Sequence, residues 1–310
     1  MAPGRSSRLQ PARTMIRRRL HHLLILMIVA VCMTATVRLF DWHAVAQAIS
    51  RMHFGLLLSG TLPLLFAIFS VRGLRWLVVL GIKPNQELFW QSFCANGAAA
   101  GLATLTPFQF GEIIKIRLIP DHHGSAGRFG VSGFFVERML DLSGVFGMGL
   151  CGLAMHFGLA WLAPVALLLP LLTGLLLGQL APHIHRLSPR LQPFAGALRH
   201  KQRIIQASLL TIVIWTLYAS LWWVVILAIH VQLDFSQVCI LLGGVMLAVV
   251  ASMAPGGIGV AELGSRGIML WLGAPTTDAE ATAIALRVLT PLIALAGLVC
   301  LLALRHLRTR

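Results

Sequence analysis

Acid is what this chain lacks most. Of 310 residues only ten are Asp or Glu, and charged residues of both signs make up 11%, against about 25% in a soluble domain. So little charge, with 57% hydrophobic residues and a mean hydropathy of +0.83, excludes an ordinary water-soluble fold. Cysteine is sparse too. The five (Cys32, Cys94, Cys151, Cys239, Cys300) are odd in number, far apart and set inside apolar runs, which reads as buried thiols and not as disulfides or metal ligands. His21-His22, His122-His123 and His183-x-His185 have no Cys or carboxylate at zinc-ligand spacing, so no metal is expected. No Walker A sequence occurs, and no other cofactor motif points to a bound group.

What is present is apolar sequence in repeated stretches of about 20 residues, the length that crosses a bilayer as helix. The expected fold is all-α: a polytopic helical membrane protein with about six spanning helices, at 23–39, 54–71, 130–157, 161–180, 209–229 and 281–304. Residues 1–22 form a basic cytoplasmic lead, 23–304 the membrane domain and 305–310 a basic cytoplasmic tail. The lead is long and no small-x-small cleavage site follows it, so 23–39 reads as a retained helix.

The net charge of +15 does not point to nucleic acid, because the cations fall in short clusters beside the spans without interleaved aromatics. Arg72, Arg75 and Lys83 follow the second span, Arg186 to Arg203 fill the longest loop, and Arg305, Arg308 and Arg310 end the chain. That is a positive-inside pattern with anionic membrane headgroups as the partner. It places both termini in the cytoplasm and the protein in the cytoplasmic (inner) membrane. Arg72, Arg75 and Trp76 read as interface anchors that close the second span.

Two further apolar segments are interrupted. Segment 88–119 carries Thr106-Pro107-Phe108-Gln109-Phe110-Gly111-Glu112, and segment 235–272 carries Pro255-Gly256-Gly257-Ile258-Gly259-Val260-Ala261-Glu262. Pro and Gly break the helical ladder, and the backbone groups they free survive at membrane depth only inside protein or along a cavity. Charge sidedness makes each segment enter and leave on one face, so both are expected to be re-entrant hairpins, with tips near Pro107 and Pro255–Gly259. They approach from opposite faces. With the helices at 54–71 and 130–157, and at 209–229 and 281–304, they form two units of inverted orientation joined by 161–180. In transporters of that design the site lies between the broken elements.

A carboxylate beside each break is costly in a membrane and marks a substrate or ion path by default. Glu137 and Asp141 share a helix face, Arg138 points about 100° away, and Glu262 with Arg266 has the i,i+4 order of a local ion pair. Glu112, with Lys115 and Arg117, reads as lying near the headgroups. These charges either pin the hairpins or serve a headgroup. Asn96, Thr104, Thr106, Gln109, Ser252 and Ser265 are available for freed backbone groups. An intramembrane serine protease is excluded on distance. Ser132 of Gly130-Val131-Ser132-Gly133 is separated from His156 by roughly 36 Å of helix, far beyond a Ser–His hydrogen bond.

Arg72-Gly73-Leu74-Arg75-Trp76, Asn96 with Pro107-x-x-x-Gly111-Glu112, Glu137-Arg138-x-x-Asp141 and Pro255-Gly256-Gly257-Ile258-Gly259-x-x-Glu262, in this order, resemble the lysylphosphatidylglycerol synthase transmembrane-region family, the flippase-like domain proteins. The resemblance runs from about residue 20 to 304. It implies a lipid-translocating membrane unit; aminoacyl transfer belongs to the synthase domain of fused relatives and is not implied here, so no enzyme is expected. The expected function is movement of a phospholipid or isoprenoid-type lipid through a polar groove between the hairpins. Its expected groove residues are Glu112, Arg117, Glu137, Arg138, Asp141, Glu262, Arg266 and Arg287, and its breaks are Pro107, Gly111, Pro255, Gly256, Gly257 and Gly259. The competing reading is a non-transporting scaffold for a lipid- or polysaccharide-biosynthesis enzyme. Nothing in the sequence fixes an oligomeric state.

Overall fold

A computed structural model describes residues 27, 30–104, 106–118, 126–187, 198 and 200–308. The basic lead 1–22, the start of the first helix, most of the basic loop 186–203 and the last two residues of the tail lie outside the described residues. So do the side chains of Pro107, Gln109 and Pro255.

The described elements are helical throughout. In chain order they are α1 (Ala30–Leu39), α2 (Trp42–Ser50), α3 (Phe54–Leu80), α4 (Gln86–Ala103), a 3-10 segment Pro107–Ile114, α5 (Lys115–Leu118) and α6 (Ala126–His156). After the short Ala160–Leu162 turn come α7 (Ala163–Leu167), α8 (Leu169–Leu187), α9 (Lys201–Ala228) and α10 (Phe235–Ser252). A second 3-10 segment, Pro255–Gly257, precedes α11 (Val260–Trp271), α12 (Thr276–Ala285), the Leu286–Val288 turn and α13 (Leu289–Arg308). Among the described residues five helices are long and apolar enough to cross a membrane, or six if the bent α7–α8 pair is one span. Segment 235–252, expected from charge sidedness to be one leg of a hairpin, qualifies as a span by its own length and composition.

The molecule buries charged groups within its apolar core and turns apolar side chains outward. Along α3, Leu58, Leu62 and Phe66 are exposed, whereas Thr61, Arg72 and Arg75 are buried. That inversion follows when the solvent is hydrocarbon and backbone or charged groups find partners only within the protein.

Caps and breaks explain where the short legs begin and end. Asn85 caps α4, its side chain accepting from the Leu88 amide at 2.7 Å. Asp234 and Gln237 form a capping box at the start of α10, which satisfies two of the amides that a helix start leaves open. The α4 leg stops before Pro107, which disfavours helix in the residue preceding it. Thr106 is extended, and Pro107 opens the 3-10 segment that folds back along α4. At the other break Met253 caps α10 in the left-handed region (φ 58°), and Gly256, Gly257 and Gly259 follow with φ of 58°, 64° and 78°. This run of left-handed backbone suits glycine and turns the chain so that α11 packs back on α10.

Residues 54–156 meet 201–308 crosswise. The α3 helix packs on α9, α4 on α13, α6 on α10, and the two 3-10 segments touch each other. The α4–α13 and α6–α10 pairs meet at glycines. A Cβ on Gly101 of α4 would sit 3.0 Å from Gly297 Cα of α13, and one on Gly243 of α10 would sit 2.6 Å from Gly149 Cα of α6. Small residues allow this close backbone approach between apolar helices.

Candidate functional site

The freed backbone at each tip is satisfied by side chains from the same region. Thr106 Oγ1 accepts from the Gly111 amide at 2.8 Å and donates to Leu102 O at 3.1 Å. Gly111 lies so close to the Leu102–Ala103 backbone that no side chain would fit. At the second tip Ser252 Oγ accepts from Ala254 N at 3.3 Å. Arg287 donates from Nη1 to Gly256 O and from Nη2 to Gly257 O, each at 2.7 Å. The tips themselves are in contact: a Cβ on Gly256 would meet Thr104 O at 2.8 Å.

Around the first tip the charges interlock. Arg75, 0% exposed, donates to Glu137 Oε1 (3.2 Å), to both oxygens of Asp141 (2.5 and 3.1 Å) and to Thr211 Oγ1 (2.9 Å). Lys115 is fully buried against Glu137, lies 3.7 Å from Glu112 Oε2, and stands over the Trp76 ring at 4.6 Å. Glu112, 3% exposed, takes Arg72 Nη2 on one oxygen (2.6 Å) and Arg138 Nη2 on the other (2.5 Å). Arg138 also reaches Asp141 Oδ2 at 2.8 Å. Every carboxylate here is shared between cations, the arrangement in which a buried charge offsets its desolvation cost.

Around the second tip the pairs are separate. Arg287 holds Glu262 through both carboxylate oxygens at 2.6 Å. Arg266 pairs with Glu280 Oε1 at 2.9 Å, whose other oxygen accepts from the Asp41 amide at 2.8 Å.

Between the tips lies a cavity of about 430 Å³. Most of its wall is apolar, from α4, α6, α9, α10 and the start of α13; its charged groups are Arg72, Glu112, Arg138, Asp141 and Arg287. Arg138 and Arg287, one from each half, keep 27% and 24% of their side chains accessible. An apolar cavity with a few convergent polar groups is the form of a small-molecule site. Here it is open to a ligand that is part charged and part hydrocarbon.

Of the residues expected to line a groove, Glu112, Arg138, Asp141 and Arg287 do so. Glu137 sits behind the wall, fully buried, and Glu262 reaches the cavity through Arg287. Arg266 is drawn towards Glu280, and Arg117 is exposed and does not line the cavity. Three expectations are corrected. The Glu262–Arg266 pair does not form; an i,i+4 pair is worth only about 0.2–0.5 kcal/mol and yields to the bidentate Arg287 contact. Glu112, expected near the headgroups, is buried inside the charge network. Arg72, Arg75 and Trp76 do not end their helix, which continues past Val71 to Leu80 because both arginines find carboxylates indoors and Trp76 is fully buried.

The groove residues expected from the sequence do not include Arg72, Arg75, Lys115, Thr211, Tyr218 and Glu280. A signal for the arginines is available: Arg72 and Arg75 are i,i+3 on one helix face, matched to Glu137 and Asp141 at i,i+4 on another. Among the described residues no His/Cys/Asp/Glu group could hold a metal.

A family model described as Lysylphosphatidylglycerol synthase TM region matches residues 22–301. No curated protein and no solved structure matches the chain. With its series of apolar helices, the match makes this an integral membrane protein.

Proposed function

The chain belongs to the lysylphosphatidylglycerol synthase transmembrane-region family, and from that premise we propose that it transports a lipid: it moves a phospholipid or isoprenoid-type lipid across the cytoplasmic membrane. The observation that carries this reading is the cavity between the two breaks, apolar over most of its wall and lined by an arginine from each half. The headgroup binds at the charged patch while acyl chains stay against the apolar wall or in the bilayer. Arginines suit a phosphate because their fork of donors matches its oxygens. Glu112 and Asp141 hold Arg72 and Arg138 in place when the site is empty.

The two halves act as inverted repeats, with the broken segments as re-entrant hairpins from opposite faces and both termini in the cytoplasm. The crosswise pairing of α4 with α13 and α6 with α10, each through glycine, supports that relation. So does a shared layout, in which the glutamate after each break pairs with an arginine 25 or 26 residues further along the chain, Glu112 with Arg138 and Glu262 with Arg287. The chain acts by binding and not by chemistry, since its cavity carboxylates are committed to arginines.

The test is transbilayer movement in vesicles holding the full chain, with a trace of acyl-labelled fluorescent phosphatidylglycerol or phosphatidylethanolamine and a membrane-impermeant quencher. Transport predicts that the quenched fraction rises from about half towards completeness, compared with protein-free vesicles. A protected half that stays protected for both lipids, and for a labelled isoprenoid phosphate assayed in the same way, overturns the proposal.

A further inference from the structure

Arg287 does two things at the second break. It lies in the Leu286–Val288 turn, lines the cavity and keeps 24% of its side chain accessible. Nε and one Nη2 proton meet the two oxygens of Glu262 at 2.6 Å. The end of the fork, Nη1 and the other Nη2 proton, donates to Gly256 O and Gly257 O at 2.7 Å. A guanidinium has five N–H groups, so one Nη1 proton is left, with no neighbour to form a second fork.

The turn held in this way has few other supports. Met253, Gly256, Gly257 and Gly259 all have left-handed backbone, which is unfavourable for a residue with a side chain such as Met253. Among the described residues Gly257 N donates to Ala254 O at 3.0 Å and Ala254 N to Ser252 Oγ at 3.3 Å. The turn also abuts the first break, with Gly256 standing against Thr104 O. That first break is braced from within by Thr106. The accessible arginine beside it, Arg138, holds the carboxylates of Glu112 and Asp141.

A phosphate arriving in the cavity meets Arg287 with its fork already filled. Glu262 takes the side of the guanidinium and the two carbonyls take its end. A phosphate can therefore be held through two donors only by replacing the carbonyls. Its oxygens carry charge and peptide carbonyls do not, and in a mostly apolar cavity that difference decides the exchange. Resting on the transport reading, we infer that Arg287 couples headgroup binding to opening of the second break. The phosphate of the lipid takes the end of the Arg287 fork, Gly256 O and Gly257 O are released, and the tip parts from Thr104. The reverse holds by linkage: a tip already released leaves the fork free for phosphate.

The test follows hydrogen–deuterium exchange of the purified full chain in detergent, with binding read in parallel by native mass spectrometry. The probes are phosphatidylglycerol, a polyprenyl phosphate, diacylglycerol with the acyl chains of the first, and inorganic phosphate. Saturating phosphatidylglycerol or polyprenyl phosphate is expected to speed exchange across residues 253–259 about fivefold or more, the low end of ordinary coupling between sites. Exchange across 106–112 should stay unchanged. Diacylglycerol, which has no phosphate, should alter neither. Arg287→Lys keeps the cation but has no fork to span two carbonyls. Its tip should exchange fast without lipid and gain nothing further when a phosphate lipid binds.

The wild-type comparison stands whether or not the variant folds. Exchange at 253–259 that slows or stays the same with a phosphate lipid bound overturns the coupling and leaves the transport reading standing. So does equal speeding by diacylglycerol, or an Arg287→Lys tip that exchanges as slowly as the wild type and still responds to lipid. Inorganic phosphate acting as strongly as the lipids supports the anion trigger and overturns lipid as its source. No saturable binding by any probe overturns both the coupling and the transport reading.

Discussion

The two breaks solve one problem in different ways. At the first, the charges interlock through shared carboxylates, and the most central of them, Arg75, Lys115 and Glu137, are fully buried. At the second, Arg287 alone holds Glu262 and the tip carbonyls, and Arg266 pairs separately with Glu280. The first tip is packed against its own α4 leg, with Thr106 bridging the fold-back. The second is a run of left-handed glycines around a single guanidinium. A shared network must be dismantled as a whole, whereas separate pairs open one at a time. The first half is therefore the fixed wall of the cavity, and the second is where rearrangement costs less.

The largest effect that would break this contrast is expected at Arg75. Arg75→Leu leaves Glu137 and Asp141 buried and short of a partner, a loss of about 3–5 kcal/mol, read as a collapse of melting temperature and yield in detergent. The matching cut, Arg287→Gln, should cost less, about 1.5–3 kcal/mol, because a quarter of that side chain is already accessible. Equal losses would mean that the halves are equally rigid.

Next is the tip turn. Gly256→Ala puts a Cβ at φ 58° and 2.8 Å from Thr104 O. The left-handed backbone alone costs about 1–2 kcal/mol, and the clash pushes the tips apart. Faster hydrogen exchange across residues 253–259, with the first tip unchanged, is the expected result. Arg117→Ala should do least, within about 0.5 kcal/mol and with lipid binding intact, since this exposed residue lies off the cavity.

The class of fold and the two breaks are legible in the sequence because they rest on local chemistry: apolar length, Pro and Gly in apolar runs, and carboxylates beside them. Partner choice is not local. The i,i+4 spacing makes Glu262–Arg266 the natural pair, yet Glu262 stands in the first turn of α11, beside the tip that Arg287 already grips. Arg266, one turn on, meets Glu280 of α12, a residue that charge sidedness assigns to an outer loop and that is 1% exposed. Arg72 and Arg75 mislead in the same way. A cation after an apolar run looks like an interface anchor until a distant carboxylate is known to face it. Trp215 and Tyr218 of the cavity wall carry no sequence signal at all, sitting in an aromatic-rich helix where any ring could be packing.

The central claim is that one cavity between the breaks binds a lipid headgroup through groups of both halves. Its most direct test is to identify the lipids that remain on the purified protein, compared with Arg138→Gln and Arg287→Gln variants of equal yield. The account predicts one lipid class enriched over the bulk membrane and lost in both variants. A profile that matches the bulk membrane in all three proteins would contradict it.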